Sequence, residues 1–155
     1  MLIILILKNM ALGIIEEEED SPLEKLHVEW LLEQSQDEPE HVRAWSIKLL
    51  TDAGAVSDAA LDRFVRLAKS ESSGLVQLHL ASVLRLLPLA KRWELASALA
   101  AKDTFAKDPV LPLMIWFGIN PAVAADRTAA IDFISNCKIP KLRTFIARRL
   151  VGSGE

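Results

Sequence analysis

The chain has no tyrosine, one cysteine and three histidines, and these shortages remove several chemistries at once. A lone Cys137 cannot form an internal disulfide, and it leaves no Cys-x-x-Cys pair, no Cys-x-x-Cys-His haem-attachment motif and no cysteine-based zinc pattern. None of His27, His41 and His79 belongs to a metal-ligand spacing with a second His, Cys or acid. There is no Gly-rich phosphate loop, no Gly-x-Ser-x-Gly elbow and no paired-carboxylate motif. Long apolar runs are missing too. "MLIILIL" is interrupted by Lys8 and Asn9 before "MALGII" resumes, short of the roughly 20 residues that span a bilayer. That start also lacks the positive region and small-residue cleavage site of a signal peptide. The expectation is a chain with no catalytic, cofactor-binding or metal-binding residue of its own and no confident transmembrane span.

What is present points to helix. Hydrophobic residues make up 51% and charged residues 25%, an ordinary globular balance rich in Ala and Leu and poor in β-branched runs. The length of 155 residues fits one domain with a real core. The net charge of −3 is unevenly spread. Residues 1–40 hold Lys8 and Lys25 against eleven acids, and the remainder holds sixteen bases against ten acids. The bases are densest in "KIPKLRTFIARRL", Lys138 to Leu150. That stretch reads as a solvated helical face, with an anionic partner, nucleic acid included, as the alternative. Residues 1–20 form a separate apolar and acidic segment. A poor anchor and a strand are possible readings of its apolar part. A helix packing on the first repeat, or residues from a misplaced start codon in front of a fragment, fit it better. The run Glu16 to Asp20 reads as a solvated linker.

From residue 21 the chain repeats itself. "VRAWSIKLL" from Val42, "VQLHLASVL" from Val76, "LPLMIWFGI" from Leu111 and "LRTFIARRL" from Leu142 follow at steps of 34, 35 and 31 residues. Such a period marks an array of stacked units, because one helix pair cannot bury its apolar face alone. Leu61, Phe64, Val65 and Ala68 share one helical face, and so do Val76, Leu80, Val83, Leu84 and Leu87. Trp93, Ala96 and Ala100 form a third stripe, with Leu99 beside it, and Leu23, Leu26 and Trp30 form a fourth.

Turn and cap residues divide the array. Ser21-Pro22-Leu23-Glu24 is a capping box, Ser57 can cap the helix after it, and Asp108-Pro109 and Asn120-Pro121 each pair a capping side chain with a proline. Pro39, Pro88 and Pro140 stand where helices should begin, and Gly54 and Gly74 where the chain turns. These signals predict first helices over 22–36, 57–70, 89–102 and 121–136, with partners over 40–52, 74–87, 109–119 and 139–151. The fold class expected is all-α, an α-solenoid of about four helix pairs in a right-handed stack. Its repeats are 21–54, 55–88, 89–119 and 120–151, within a domain covering 21–155. Pro112 and Gly118 predict that the helix over 109–119 is short.

A tetratricopeptide array is disfavoured because its Trp-x-x-Leu-Gly-x-x-Tyr pattern needs the missing tyrosine. "EPEHVRAWSIKLL" resembles instead the acidic, Pro-containing turn and Val-Arg start of a HEAT second helix. That resemblance implies pairing of the Arg at the second position with turn acids along the stack. Arg43 and Arg143 match the position, whereas Gln77 and Pro112 interrupt any such ladder. Trp30, Trp45, Trp93 and Trp116 read as core or inter-repeat wedges. A buried Trp45 would make Trp45→Ala cost about 3–5 kcal/mol. The alternative is a concave binding surface, with Arg43, Trp45, His79, Trp116, Arg143 and Arg148 as candidate interaction residues. Arg148 and Arg149 can also offset the negative end of the last helix. His79 reads as a half-buried interior or groove histidine, and Cys137 as an inert packed thiol.

"HVRAWSIKLL", "LHLASVLRLLPLAKRW", "LPLMIWFGINPAVAAD" and "KIPKLRTFIARRL" together resemble the HEAT-like segment of the large haem-binding, membrane-bound dehydrogenases of planctomycetes and related bacteria, over residues 23–150. In that family a sugar-dehydrogenase-like β-propeller precedes the helical repeats, a c-type cytochrome domain follows them, and the proteins are exported. The resemblance implies a helical spacer or docking surface between redox modules. Its partner is a neighbouring domain or protein, such as a c-type cytochrome or β-propeller module. Haem c would then belong to a parent or partner protein rather than to this chain. The location is periplasmic or membrane-associated if the chain belongs with that family, and cytoplasmic if it is native as written. The family's propeller, haem motif and export signal have no counterpart here, so none of its catalytic or haem-ligating residues carries over. Three readings stand: a non-catalytic HEAT-like scaffold, a redox-enzyme subunit that docks a cytochrome or quinoprotein, and a HEAT-like nucleic-acid-binding protein. The last would need a groove lined by Arg and Lys and binding that falls steeply with salt.

Overall fold

A computed structural model describes residues 39–52 and 56–152 of the chain. The readings made for 1–20, the helix over 22–36 with its capping box, His27, Trp30 and Gly54 lie outside the described residues. Those residues form seven helices and no strand. They are α1 (Glu40–Asp52), α2 (Asp58–Ser70), α3 (Gly74–Val83), α4 (Arg92–Ala100), α5 (Leu111–Ala125), α6 (Arg127–Asn136) and α7 (Pro140–Gly152). A 3-10 turn, Leu89–Lys91, leads into α4.

Odd-numbered helices pack in succession, α1 on α3, α3 on α5 and α5 on α7. The even-numbered helices do the same, α2 on α4 and α4 on α6. The core lies between these two rows. Its members are the periodic residues: Leu61, Phe64, Val65 and Ala68 from α2, and Val76, Leu80, Val83, Leu84 and Leu87 from α3 and the turn after it. Ala96, Leu99 and Ala100 join them from α4. Phe64, Leu80, Leu84, Leu95 and Ile115 are wholly enclosed, each worth about 1.5–3 kcal/mol of transfer free energy.

Local signals explain most boundaries. Ser57 accepts from the Ala60 amide at 3.2 Å and starts α2. Asp108 Oδ1 accepts from the Val110 and Leu111 amides, and Pro112 follows inside the first turn of α5, where its missing N–H is not needed. Pro140 opens α7.

The stretch around Asn120-Pro121 corrects the expected boundary. α5 is not short and does not end before Asn120. It runs for 15 residues through Gly118 and Pro121, and α6 begins only after Asp126, whose Oδ1 accepts from the Ala129 amide at 2.9 Å. Gly118 is there for contact, not for termination: a Cβ at that position would lie 2.5 Å from Leu84 Cβ. The glycine lets α5 close on the end of α3. Pro121 and Phe117, the residue whose carbonyl Pro121 cannot engage, are both exposed, so water can satisfy the helix at that point.

Candidate interaction surface

The repeat register places two columns of side chains along the odd helices, most of them turned outward, although Met114 also packs against the core. One column reads Trp45, His79, Met114 and Phe145, the other Lys48, Ser82, Phe117 and Arg148. Every member is exposed or half-buried. Trp45 is 55% exposed and Phe117 62%. The reading of Trp45 as a core wedge is therefore overturned. The residue sits on the side of α1 away from Ala44, Ile47 and Leu50, which take the interior. Trp93 and Trp116 do serve as wedges. Trp93 packs against Phe133 with centroids 5.7 Å apart, and Trp116 against Phe145 at 5.6 Å.

The six candidate residues thus divide. Trp45, His79 and Arg148 share the outer face. Trp116 fills the α5–α7 junction, although its ring partner Phe145 belongs to the first column. His79 is half-buried, and its Nδ1 lies 3.0 Å from the Leu75 carbonyl one turn earlier. Lys48 pairs with Asp52 on its own helix at 2.6 Å.

Arg43 is turned along the row rather than outward. It donates from Nε to Glu71 Oε2 at 2.8 Å and from Nη2 to Oε1 at 2.9 Å, a bidentate pair in which the carboxylate is almost fully enclosed. Glu71 ends α2 and also accepts from the Ser72 and Ser73 amides at 2.8 and 2.7 Å. Burial alone would raise the Glu71 carboxyl. The Arg43 hydrogen bonds, the Ser73 amide, the Arg43 charge and the Ser72 amide together hold it below its ordinary 4.5. One rung between a second-helix Arg and a turn acid is therefore present. Gln77, one repeat along from Arg43, instead donates to the Ala68 and Glu71 carbonyls at 3.0 and 3.2 Å. Arg143 holds the same register on α7 and is exposed.

A second rung escaped the sequence reading. Arg92 donates to three carbonyls, those of Leu87 at 2.9 Å, Gly118 at 2.6 Å and Arg85 at 3.1 Å. Burial first, and then the charge of Arg85, pulls this guanidinium below its ordinary value, and it stays cationic. Arg127 occupies the matching start of α6 and donates to the Leu150 carbonyl at 3.0 Å. In both cases an Arg at the start of an even helix holds a carbonyl of the odd helix that follows it. The only sequence signal was the spacing of the two arginines. Phe117 was missed because a phenylalanine inside an apolar run reads as core.

Cys137 is buried, and burial pushes its thiol up from the usual range, against the pull of the Ile139 backbone and of Arg143. Among the described residues no three His, Cys, Asp or Glu side chains cluster as metal ligands, and no helix is long and apolar enough to cross a membrane. No protein family, curated protein or solved structure matches the chain.

Proposed function

We propose that this chain is a non-catalytic HEAT-like scaffold for protein–protein or interdomain docking, a fragment or relative of a haem-containing dehydrogenase. Its fold is then an α-solenoid of about four helix pairs in a right-handed stack. The observation that carries the reading is the packing of each helix on the next but one, with the Arg92 and Arg127 rungs recurring in register. An outer face that carries aromatic and basic side chains, without a cluster of acids or nucleophiles, suits docking better than catalysis. The kinship with the dehydrogenases rests on the resemblance of the four sequence blocks.

The test is the size and haem content of the native protein, by immunoblot of source cells and a covalent-haem stain of the same gel. The reading predicts one band far larger than the 17.2 kDa of this chain, coincident with haem. A band near 17.2 kDa without haem rejects the kinship and leaves a free-standing scaffold.

A further inference from the structure

Three of the four odd helices differ in charge from the even row, whereas α1 mixes signs, with Glu40 and Asp52 beside Arg43 and Lys48. The even helices mix signs: Asp58, Asp62, Glu94 and Asp132 stand among Arg63, Arg66, Lys69, Arg92 and Arg127. Helices α3, α5 and α7 contain no Asp or Glu at all. At the α7 end of their outer face stand Lys141 and Arg148, and at the end of α3 stands Arg85, all exposed. None of these three makes an ion pair among the described residues. Lys141 Nζ lies 6.0 Å from the centroid of the Phe145 ring, so its charge is held beside an aromatic face. Between the basic ends runs α5, which carries no charged residue and presents the exposed Phe117, with the half-buried Met114 beside it packed in part against the core.

We infer that the outer face of α3, α5 and α7 docks an acidic amphipathic segment of a partner protein. Apolar side chains of that segment cover Phe117 and Met114, and its carboxylates meet Lys141 and Arg148 at one end and Arg85 at the other. The complementarity is specific in sign: a basic segment would meet three cations that make no ion pair among the described residues, and no acid on these helices. Nucleic acid fits less well, because a phosphate backbone crossing α5 would find no cation along the helix, whereas an apolar peptide face finds Phe117 and Met114. The inference rests on the scaffold reading and adds the class of partner and the face it uses.

The experiment is fluorescence anisotropy with the full chain and three labelled probes. The first is a 16-residue peptide with Leu or Trp at i, i+3, i+4 and i+7 and Glu at the other positions. The second has Lys for every Glu, and the third is a single-stranded DNA oligonucleotide of similar length. The acidic peptide is expected to bind, and to bind more weakly as salt rises through the physiological range. Lys141→Glu with Arg148→Glu should weaken it about tenfold or more, and Phe117→Glu by a similar factor. Glu94→Lys, on the other row, should leave it unchanged. All these side chains are exposed, so far-UV circular dichroism and melting should match the parent chain. Absence of binding by the acidic peptide at about 1 mM overturns the inference. So does equal binding by the variants, or preference for the Lys peptide or for DNA through the same residues. Absence of binding or equal binding by the variants leaves the scaffold reading standing with its docking face elsewhere. Preference for the Lys peptide keeps the face and reverses the partner's charge, and preference for DNA through the same residues favours the nucleic-acid reading over the scaffold. The dehydrogenase kinship fails on the blot alone.

Discussion

The turn that joins α2 to α3 and the turn that joins α6 to α7 have nearly the same backbone and opposite chemistry. Glu71 ends α2 at φ −66°, ψ 134°, and Cys137 ends α6 at φ −72°, ψ 124°. Each donates its amide to the carbonyl four residues back, Leu67 and Phe133 respectively. After Glu71 come Ser72 and Ser73, and the Ser73 hydroxyl caps α3. After Cys137 come Lys138, the fully buried Ile139 and Pro140. The first turn is held by a carboxylate, a guanidinium and two amides. The second is held by apolar burial and by the Lys138 amide donating to the Ala100 carbonyl at 2.8 Å. One backbone solution can therefore be reached by two kinds of side chain. The bidentate Arg43–Glu71 pair is one way, not the required way, to hold such a turn.

Breaking the polar turn should have the largest effect. Glu71→Ala removes a nearly enclosed carboxylate and strands Arg43 and two amides, and is expected to cost about 3–5 kcal/mol by chemical denaturation. Cys137→Ala at the matching position loses a small apolar contact and the weak Sγ–H donation to the Ile139 carbonyl at 3.5 Å, and should cost about 1–2 kcal/mol. Equal losses would mean that the charge network adds nothing specific. The two turns also differ in pH response. The folded Glu71 carboxyl lies below its ordinary 4.5, so its contribution is fully present above that value and is lost as pH falls through the folded one. Melting in acid should therefore be less pH-dependent in Glu71→Gln than in the parent chain, and unchanged in slope in Cys137→Ala.

Gly118→Ala sharpens a second contrast, between helix propensity and contact. Alanine should favour the interior of α5 by about 1 kcal/mol over glycine. Its Cβ would stand 2.5 Å from Leu84 Cβ and 2.9 Å from Leu84 Cδ1, and a Cβ cannot rotate away. The clash should win, with a net loss of about 1–3 kcal/mol in the same measurement. A stabilised variant would show that α3 and α5 can separate without penalty.

Gly118 also marks the limit of what could be read beforehand. The helical class and the buried stripes on α2 and α3 followed from apolar spacing of 3 and 4, which depends only on each segment's own residues. The cap at Ser57 followed in the same local way, whereas Asp108 accepts from the Val110 and Leu111 amides but the helix begins two residues later than Pro109, with Val110 at its N-cap. The failure at Asn120-Pro121 came from a tertiary cause: glycine and proline read as helix breakers until a neighbouring helix, or an exposed carbonyl, gives them another reason to be there. The candidate surface was half legible. Arg43 stood out by its register, but its partner Glu71 lies 28 residues away, in a turn whose closeness depends on the stack. Tryptophans were the least legible, since a large ring fits an interior wedge and a docking face equally well by sequence.

The smallest predicted effect separates those two uses. Trp93 packs on Phe133 in the even row, and Trp93→Ala should cost about 2–4 kcal/mol. Trp45 is more than half exposed and turns away from Ala44, Ile47 and Leu50, so Trp45→Ala should change stability by no more than about 1 kcal/mol. Paired thermal melts check both. A loss at Trp45 as large as that at Trp93 would mean that the ring is covered in solution, and the outer face would then begin at α3 rather than α1. A small loss leaves Trp45 without a stabilising role among the described residues, the pattern expected of a side chain kept for a partner rather than for the fold.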